Sequence, residues 1–193
     1  MKIAIIKYNA GNTQSVIFAL NRLGINPTLT DNAEELQSAD KVIFPGVGEA
    51  GSTMQHLRAK GLDTIIYNLK QPVLGICLGM QLLCKYSEEG NTKCIGVFNT
   101  EVKKLQSETL NVPHMGWNEL KAKDHALNKQ LIDKHMYFVH SYYVPITNET
   151  IASTTYGQEF SASLQKDNYY AVQFHPEKSS KQGLQMIKNF IEL

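Results

Sequence analysis

Read as a pattern of apolar and polar positions, the chain changes character near residue 96. Before that point, short uninterrupted apolar runs alternate with stretches whose apolar residues recur every three or four positions. Ile3-Ala4-Ile5-Ile6, Val42-Ile43-Phe44 and Val73-Leu74-Gly75-Ile76 are such runs, as strands covered on both faces require. Residues 27–30 predict one more strand. Val16, Ile17, Leu20 and Leu23 keep helical spacing after a turn at 9–12, and Gly24 is placed to cap the helix end. Further helices are predicted over 33–37, 50–60, 64–69 and 80–86. Strands alternating with helices specify βαβ units and a mostly parallel sheet flanked by helices. Beyond residue 96, β-prone pieces dominate, at 96–98, 136–139, 142–144, 151–155, 160–164 and 169–174. An amphipathic helix over 181–192 closes the chain, carrying Leu184, Ile187, Phe190 and Ile191. The expectation is α/β: one domain spanning 1–193, with an antiparallel β extension in the C-terminal half and no linker or internal repeat.

Composition narrows the picture. A length of 193 residues suits one compact domain better than two, and 42% hydrophobic with 19% charged residues is ordinary globular usage. The formal net charge of +1 supplies no basic surface for nucleic acid or anionic lipid. The first apolar run is closed by Lys7, too short for a signal peptide, and no stretch approaches the roughly 20 apolar residues that span a bilayer. Three cysteines without paired short spacings argue against a disulfide framework or a zinc site. A cytoplasmic protein with free thiols is expected.

Gly75-Ile76-Cys77-Leu78-Gly79 sets a cysteine where a buried strand turns into a helix. Such an elbow strains the backbone and needs small neighbours, hence a glycine two positions away on each side. It exposes the side chain at the carboxyl edge of the sheet and points the positive end of a helix at the sulfur, favouring the thiolate. A lone cysteine is more often a small core residue; here the flanking glycines favour a nucleophile. Cys84, inside the predicted helix, and Cys94, in a polar loop, lack that setting and read as structural.

A nucleophile of this kind needs a proton acceptor and a group to orient it. In Ala171-Val172-Gln173-Phe174-His175-Pro176-Glu177, an apolar strand ends at His175, and Glu177 lies two positions on. In an extended chain both side chains project to one face, and Pro176 stiffens the arrangement. A carboxylate beside an imidazole selects its tautomer and stabilises the imidazolium. His56, His125 and His135 read as structural or surface residues. His114 and His140 sit in contexts that could line a pocket, without a carboxylate two residues away. No second histidine at ligand spacing accompanies His175 and Glu177, so no metal is expected.

These residues resemble the class I, triad-type glutamine amidotransferases. Within that class the chain is similar to the glutaminase-subunit family of imidazole glycerol phosphate synthases. The likeness runs through Asn9-Ala10-Gly11-Asn12, Pro45-Gly46-Val47-Gly48, Gly75-Ile76-Cys77-Leu78-Gly79-Met80-Gln81-Leu82-Leu83, Pro113-His114-Met115-Gly116-Trp117-Asn118, Tyr137-Phe138-Val139-His140-Ser141-Tyr142 and Gln173-Phe174-His175-Pro176-Glu177-Lys178-Ser179. The resemblance implies a flavodoxin-like fold and a cofactor-free hydrolysis in which Cys77 attacks the glutamine side-chain amide, His175 moves protons and Glu177 orients it. It implies an oxyanion site built from the Leu78 amide and the Gly46-Val47-Gly48 segment, though Pro45 to Gly48 alone reads equally as a strand-end turn. In isolation that segment is expected to be unproductive. Gln81 would hold the amino-acid end of the substrate with backbone around Ser141 and Tyr142; Met80 would line the pocket or belong to the core. A (β/α)8-barrel synthase subunit is the implied partner, faced or gated by Asn12, Trp117, Tyr137 and Lys178. On their own, the two aromatics could be core and the lysine solvated. The alternative partner is a different synthase, such as a nucleotide-sugar amidotransferase. A peptidase or deglycase on a similar fold would not be expected to combine Gln81 with His175-Pro176-Glu177.

Overall fold

A computed structural model describes residues 1–8 and 12–193; the turn expected at Asn9, Ala10 and Gly11 lies outside the described residues. The first half runs β1 (Ile3–Ile6), α1 (Thr13–Arg22), β2 (Thr28–Thr30), α2 (Ala33–Gln37), β3 (Lys41–Phe44), α3 (Ala50–Ala59), α4 (Leu62–Asn68), β4 (Val73–Ile76) and α5 (Leu78–Leu83). Short β5 (Cys84–Ser87) and β6 (Thr92–Lys93) lead to β7 (Phe98–Lys104), β8 (His114–Glu119) and β9 (Lys121–Ala122). Then come β10 (His135–His140), β11 (Tyr142–Tyr143), β12 (Thr150–Tyr156), β13 (Gln158–Lys166), β14 (Tyr169–Val172) and α6 (Ser180–Glu192).

The main sheet has eight strands in the order β2-β1-β3-β4-β14-β13-β12-β9. From β2 to β14 neighbours are parallel, and from β14 to β9 antiparallel. Two smaller sheets, β10-β8 and β11-β7-β5-β6, complete the fold, the second joining both halves of the chain. The continuous apolar runs are explained by burial on both sides. In β1, Ala4 and Ile6 enter one core with the apolar faces of α3, α4 and α5, while Ile3 and Ile5 enter another with α1 and α6. Alternation with period 2 therefore feeds two cores at once.

Helix ends follow local chemistry. Asn32 accepts from the amides of Glu34 (2.9 Å) and Glu35 (3.1 Å) to start α2, and Glu49 accepts from those of Gly51 and Ser52 (both 2.7 Å) to start α3. Gly24, at φ +78°, ends α1 as expected.

Two expectations are corrected. The helix expected over 80–86 begins at Leu78 and stops at Leu83, and Cys84 opens a strand. There the backbone pairs with β7 and β6, burying Cys84 and Ser87 and exposing Lys85, so tertiary pairing prevails over a short helical pattern. Cys94 is buried rather than set in a polar loop. The β piece at 96–98 is the start of a longer strand, and β8 arises from a segment with no strong β-run of its own.

Candidate active site

Cys77 lies between the end of β4 and the start of α5, with φ 53° and ψ −109°. A non-glycine residue held there costs about 1–3 kcal/mol, and the surrounding packing must hold it in place. Part of that packing is glycine. A Cβ on Gly79 would strike the carbonyl oxygen of Phe44, and one on Gly75 would meet Leu83 Cδ1 at 2.8 Å. The elbow can press onto the end of β3 only without side chains at these positions. Its backbone is tied to the sheet by the Cys77 amide, which donates to Val172 O at 2.8 Å.

His175 arrives from the neighbouring strand, because β14 lies parallel to β4 with Val172 opposite Ile76. The expectation of an extended His-Pro-Glu segment is corrected. β14 ends at Val172, and Pro176–Lys178 form a 3-10 turn. That turn, which the fixed φ of Pro176 suits, folds Glu177 back so that its Oε1 lies 2.7 Å from His175 Nδ1, with both side chains 2% exposed. Ser179 holds the turn. Its hydroxyl donates to His175 O at 2.6 Å and accepts from the Tyr137 amide at 2.9 Å, while the His175 amide donates to Tyr137 O at 2.9 Å.

Burial opposes a charge on the His175 ring. The Cys77 sulfur and the Glu177 carboxylate outweigh it and raise the imidazole to about 10. Nε2 is buried and makes no hydrogen bond of ordinary geometry, yet the nearby Cys77 sulfur is the stronger of the two influences that raise the ring. The thiol is 7% exposed and lies 3.8 Å from Val139 O.

Cys77 and His175 open onto a cleft of about 330 Å³. Of the substrate-binding residues expected from the sequence, Val47, Gly48, Leu78, Gln81, Ser141 and Tyr142 line it. Gly46 does not; its carbonyl instead accepts from the Leu78 amide at 3.4 Å. The amide expected to serve the oxyanion site is therefore occupied by the chain's own backbone. Met80 is fully buried in a core. Asn12 precedes α1 and accepts from Ser15 Oγ, Lys178 is exposed, and neither lines the cleft. Trp117 and Tyr137 pair across β8 and β10, ring centroids 6.1 Å apart, and Trp117 is 52% exposed, so it is not core.

Four contributors carry no role in the sequence reading. Glu89 lines the cleft; burial raises its carboxyl, and the Ala50 amide it accepts at 2.8 Å only partly offsets this. Tyr8 donates to Pro45 O at 2.5 Å, at the root of the Gly46-Val47-Gly48 segment; burial, aided by the Cys77 sulfur, raises its phenol and keeps it a donor. Gln173, fully buried, donates to Cys77 Sγ at 3.7 Å, and Ser179 acts as described. His140, left open by the sequence, lines the cleft, and its Nδ1 donates to Tyr142 O at 2.8 Å. Its Nε2 must then accept from His114 Nδ1, 3.1 Å away, and burial holds the two rings down at about 3 and about 4. Among the described residues no group of three or more His, Cys, Asp or Glu is placed to hold a metal, and no helix is long and apolar enough to cross a membrane.

Known proteins give the arrangement its context. The model of the family described as glutamine amidotransferase class-I matches residues 4–193. The imidazole glycerol phosphate synthase subunit HisH of Bacteroides fragilis (strain YCH46) is 56% identical over 196 residues, covering 100% of both chains. That of Pasteurella multocida (strain Pm70) is 48% identical over 192 residues, 98% of this chain and 97% of its own. Among solved structures, a putative GMP synthase subunit from Thermoplasma acidophilum superposes with a TM-score of 0.77 at 20% identity, covering 100% of this chain and 92% of that one, a likeness of fold alone. Likeness of this extent, over a cleft with a thiol, an imidazole and a carboxylate in line, makes the chain a member of the class-I glutamine amidotransferase family, among the HisH subunits of imidazole glycerol phosphate synthase.

Proposed function

We propose that the chain hydrolyses glutamine to glutamate and ammonia through Cys77, His175 and Glu177, and passes the ammonia to a (β/α)8-barrel synthase subunit. The observation that carries this reading is the line from Glu177 Oε1 through the His175 ring to the Cys77 sulfur at the mouth of the cleft. The thiolate attacks the side-chain carbonyl carbon of glutamine, and charge collects on the carbonyl oxygen. His175, protonated and oriented by Glu177, gives its proton to the departing ammonia, leaving a γ-glutamyl thioester. Water then attacks the thioester carbon, with His175 taking one of its protons; the carbon–sulfur bond breaks, glutamate leaves, and the thiolate and protonated His175 are restored.

The other end of the substrate meets matching groups. Glu89 is the anionic side chain of the cleft away from the triad, suited to the α-ammonium. Gln81 Nε2 already donates to Tyr142 O and Gln173 Oε1, so it is Gln81 Oε1 that remains to accept from that ammonium. Backbone around Ser141 and Tyr142 holds the α-carboxylate.

Catalysis requires the Gly46–Val47 peptide to turn. Its carbonyl now takes the Leu78 amide, and its own N–H belongs to the same plane. One rotation removes the competing acceptor and presents the Val47 amide, so two donors reach the oxyanion together; losing one such donor typically costs about 2.7–4 kcal/mol. The resting chain is accordingly a slow glutaminase. The face of the β8-β10 pair that exposes Met115 and Trp117, with half-buried Tyr137 beside them, is the docking side, with Lys178 and Asn12. The synthase turns the ammonia and a ribulosyl-formimino intermediate into imidazole glycerol phosphate and aminoimidazole carboxamide ribotide, in histidine biosynthesis in the cytoplasm. The test is Cys77→Ala in the assembled synthase: glutamine-dependent turnover disappears and ammonia-dependent turnover survives. Loss of both would refute the assignment.

A further inference from the structure

The geometry points to Gln173 as a further catalytic residue, whose side-chain N–H donates to the Cys77 sulfur and stabilises it as the thiolate. This rests on Cys77 being the nucleophile.

The argument is one of forced orientation. Tyr142 O is a carbonyl and can only accept, so the Gln81 atom 2.9 Å from it must be the amide nitrogen. That same nitrogen lies 3.0 Å from the Gln173 side chain, which must therefore present its oxygen there. The remaining end of the Gln173 amide is its NH2 group, and it lies 3.7 Å from Cys77 Sγ. A flip of Gln173 would set two NH2 groups against each other and aim an oxygen lone pair at the sulfur. Gln173 has no exposed surface, so water cannot rescue such a flip. Tyr142 O also accepts from His140 Nδ1 at 2.8 Å, which fixes the far end of the chain.

Among the described residues the sulfur has few other polar neighbours. His175 supplies positive charge from the turn after β14, with Glu177 behind it; Tyr8, just past β1, feels the sulfur's charge while its hydroxyl donates to Pro45 O; Val139 O from β10 can only accept. A carbonyl acceptor favours the thiol, whereas an N–H donor favours the thiolate. The Gln173 amide is thus a neutral donor to a sulfur that is almost wholly buried. A glutamine at the end of an otherwise apolar strand has this task to explain its burial.

The experiment uses the assembled synthase carrying Gln173→Met, which keeps bulk and removes the donor. Hydrogen bonds to charged groups contribute enough that roughly a 10- to 100-fold effect is expected. The pH midpoint for alkylation of Cys77 by iodoacetamide, followed on the Cys77 peptide by mass, rises by about one to two units. Glutamine-dependent kcat falls by roughly the same factor, while ammonia-dependent turnover is retained. An unmoved midpoint, even with lowered thermal stability, overturns the proposal. If the methionine variant fails to assemble, Gln173→Leu decides: it removes the amide donor without adding a charge beside the sulfur, and a wild-type midpoint and kcat overturn the proposal. Should Cys77→Ala retain full glutaminase activity, the nucleophile assignment itself fails instead, a result that neither Gln173 variant can mimic.

Discussion

Replacing Glu177 by glutamine isolates the contribution of one buried charge. The side chain keeps its shape and can still accept from His175 Nδ1, so the ring stays in place and the carboxylate's charge is what disappears. Glu177 Oε1 sits 2.7 Å from Nδ1 with both side chains almost wholly out of solvent. Two unit charges roughly 4 Å apart attract by about 4 kcal/mol at an effective dielectric of ~20. That corresponds to about three pKa units, comparable with the rise of the ring from 6.5 to about 10 against the pull of burial. Without it, the Cys77 sulfur alone remains to oppose burial, and the His175 ring falls below about 10. The imidazolium that must deliver a proton to ammonia loses the same support. Glutamine-dependent kcat in the assembled synthase should fall by about 10²–10⁴-fold, with KM changed far less and ammonia-dependent turnover intact. Steady-state assays on both nitrogen sources, together with an NMR titration of the His175 ring, check this. Turnover within about threefold of wild type, with an unmoved ring, would show that the carboxylate does not act through the imidazole.

Other outcomes follow from the same geometry. His175 binds its proton more tightly folded than unfolded, so its stabilising contribution is complete below pH 6.5 and is lost as pH rises through about 10; thermal melts from pH 6 to 10 should show a decline that Glu177→Gln flattens. His114 and His140 behave oppositely. Held at about 4 and about 3, they contribute fully above pH 6.5 and lose stability as pH falls through those values, by up to about 1.4 kcal/mol per pH unit each; His114→Phe should reduce the acid sensitivity of the melt. Ser179→Ala removes the hydroxyl that bridges His175 O and the Tyr137 amide, and should cost about 1–3 kcal/mol in chemical denaturation with a reduced kcat; unchanged values for both would deny the hydroxyl that task. Gly79→Ala drives a Cβ into the Phe44 carbonyl, and should cost about 1–3 kcal/mol and most of the glutaminase rate, read by melting and by turnover.

The parallel half of the fold was legible because strands buried on both faces leave continuous apolar runs that admit few alternatives, as in Ile3 to Ile6 and Val73 to Ile76. Cys77 was legible because a strained elbow leaves a local mark, its two glycines. The end of α5 was not. Six residues of helix followed at once by a strand gave too short a window for either period, and partners up to Val102 decided the outcome. The His-Pro-Glu segment was read through the wrong backbone: His175 and Glu177 meet through a tight turn, not through strand alternation. Glu89, Tyr8 and Ser179 were missed because their partners, Ala50, Pro45 and Tyr137, lie 37 or more residues away and leave no local pattern. Gln173 carried a hint, as a polar residue in an apolar run, but only the contacts of Gln81 turn that hint into an orientation.

The position of β14 has a consequence for how the chain is made. This four-residue strand is the seam of the main sheet, with β4 on one edge and β13 on the other. A ribosome releases the thiol-bearing elbow long before the seam, so the nascent sheet waits with an open edge beside β4 while the antiparallel strands assemble. Joining strands so distant in sequence is slow on topological grounds. His175 follows that seam in the chain, so its imidazole comes beside the Cys77 sulfur only once β14 has closed against β4.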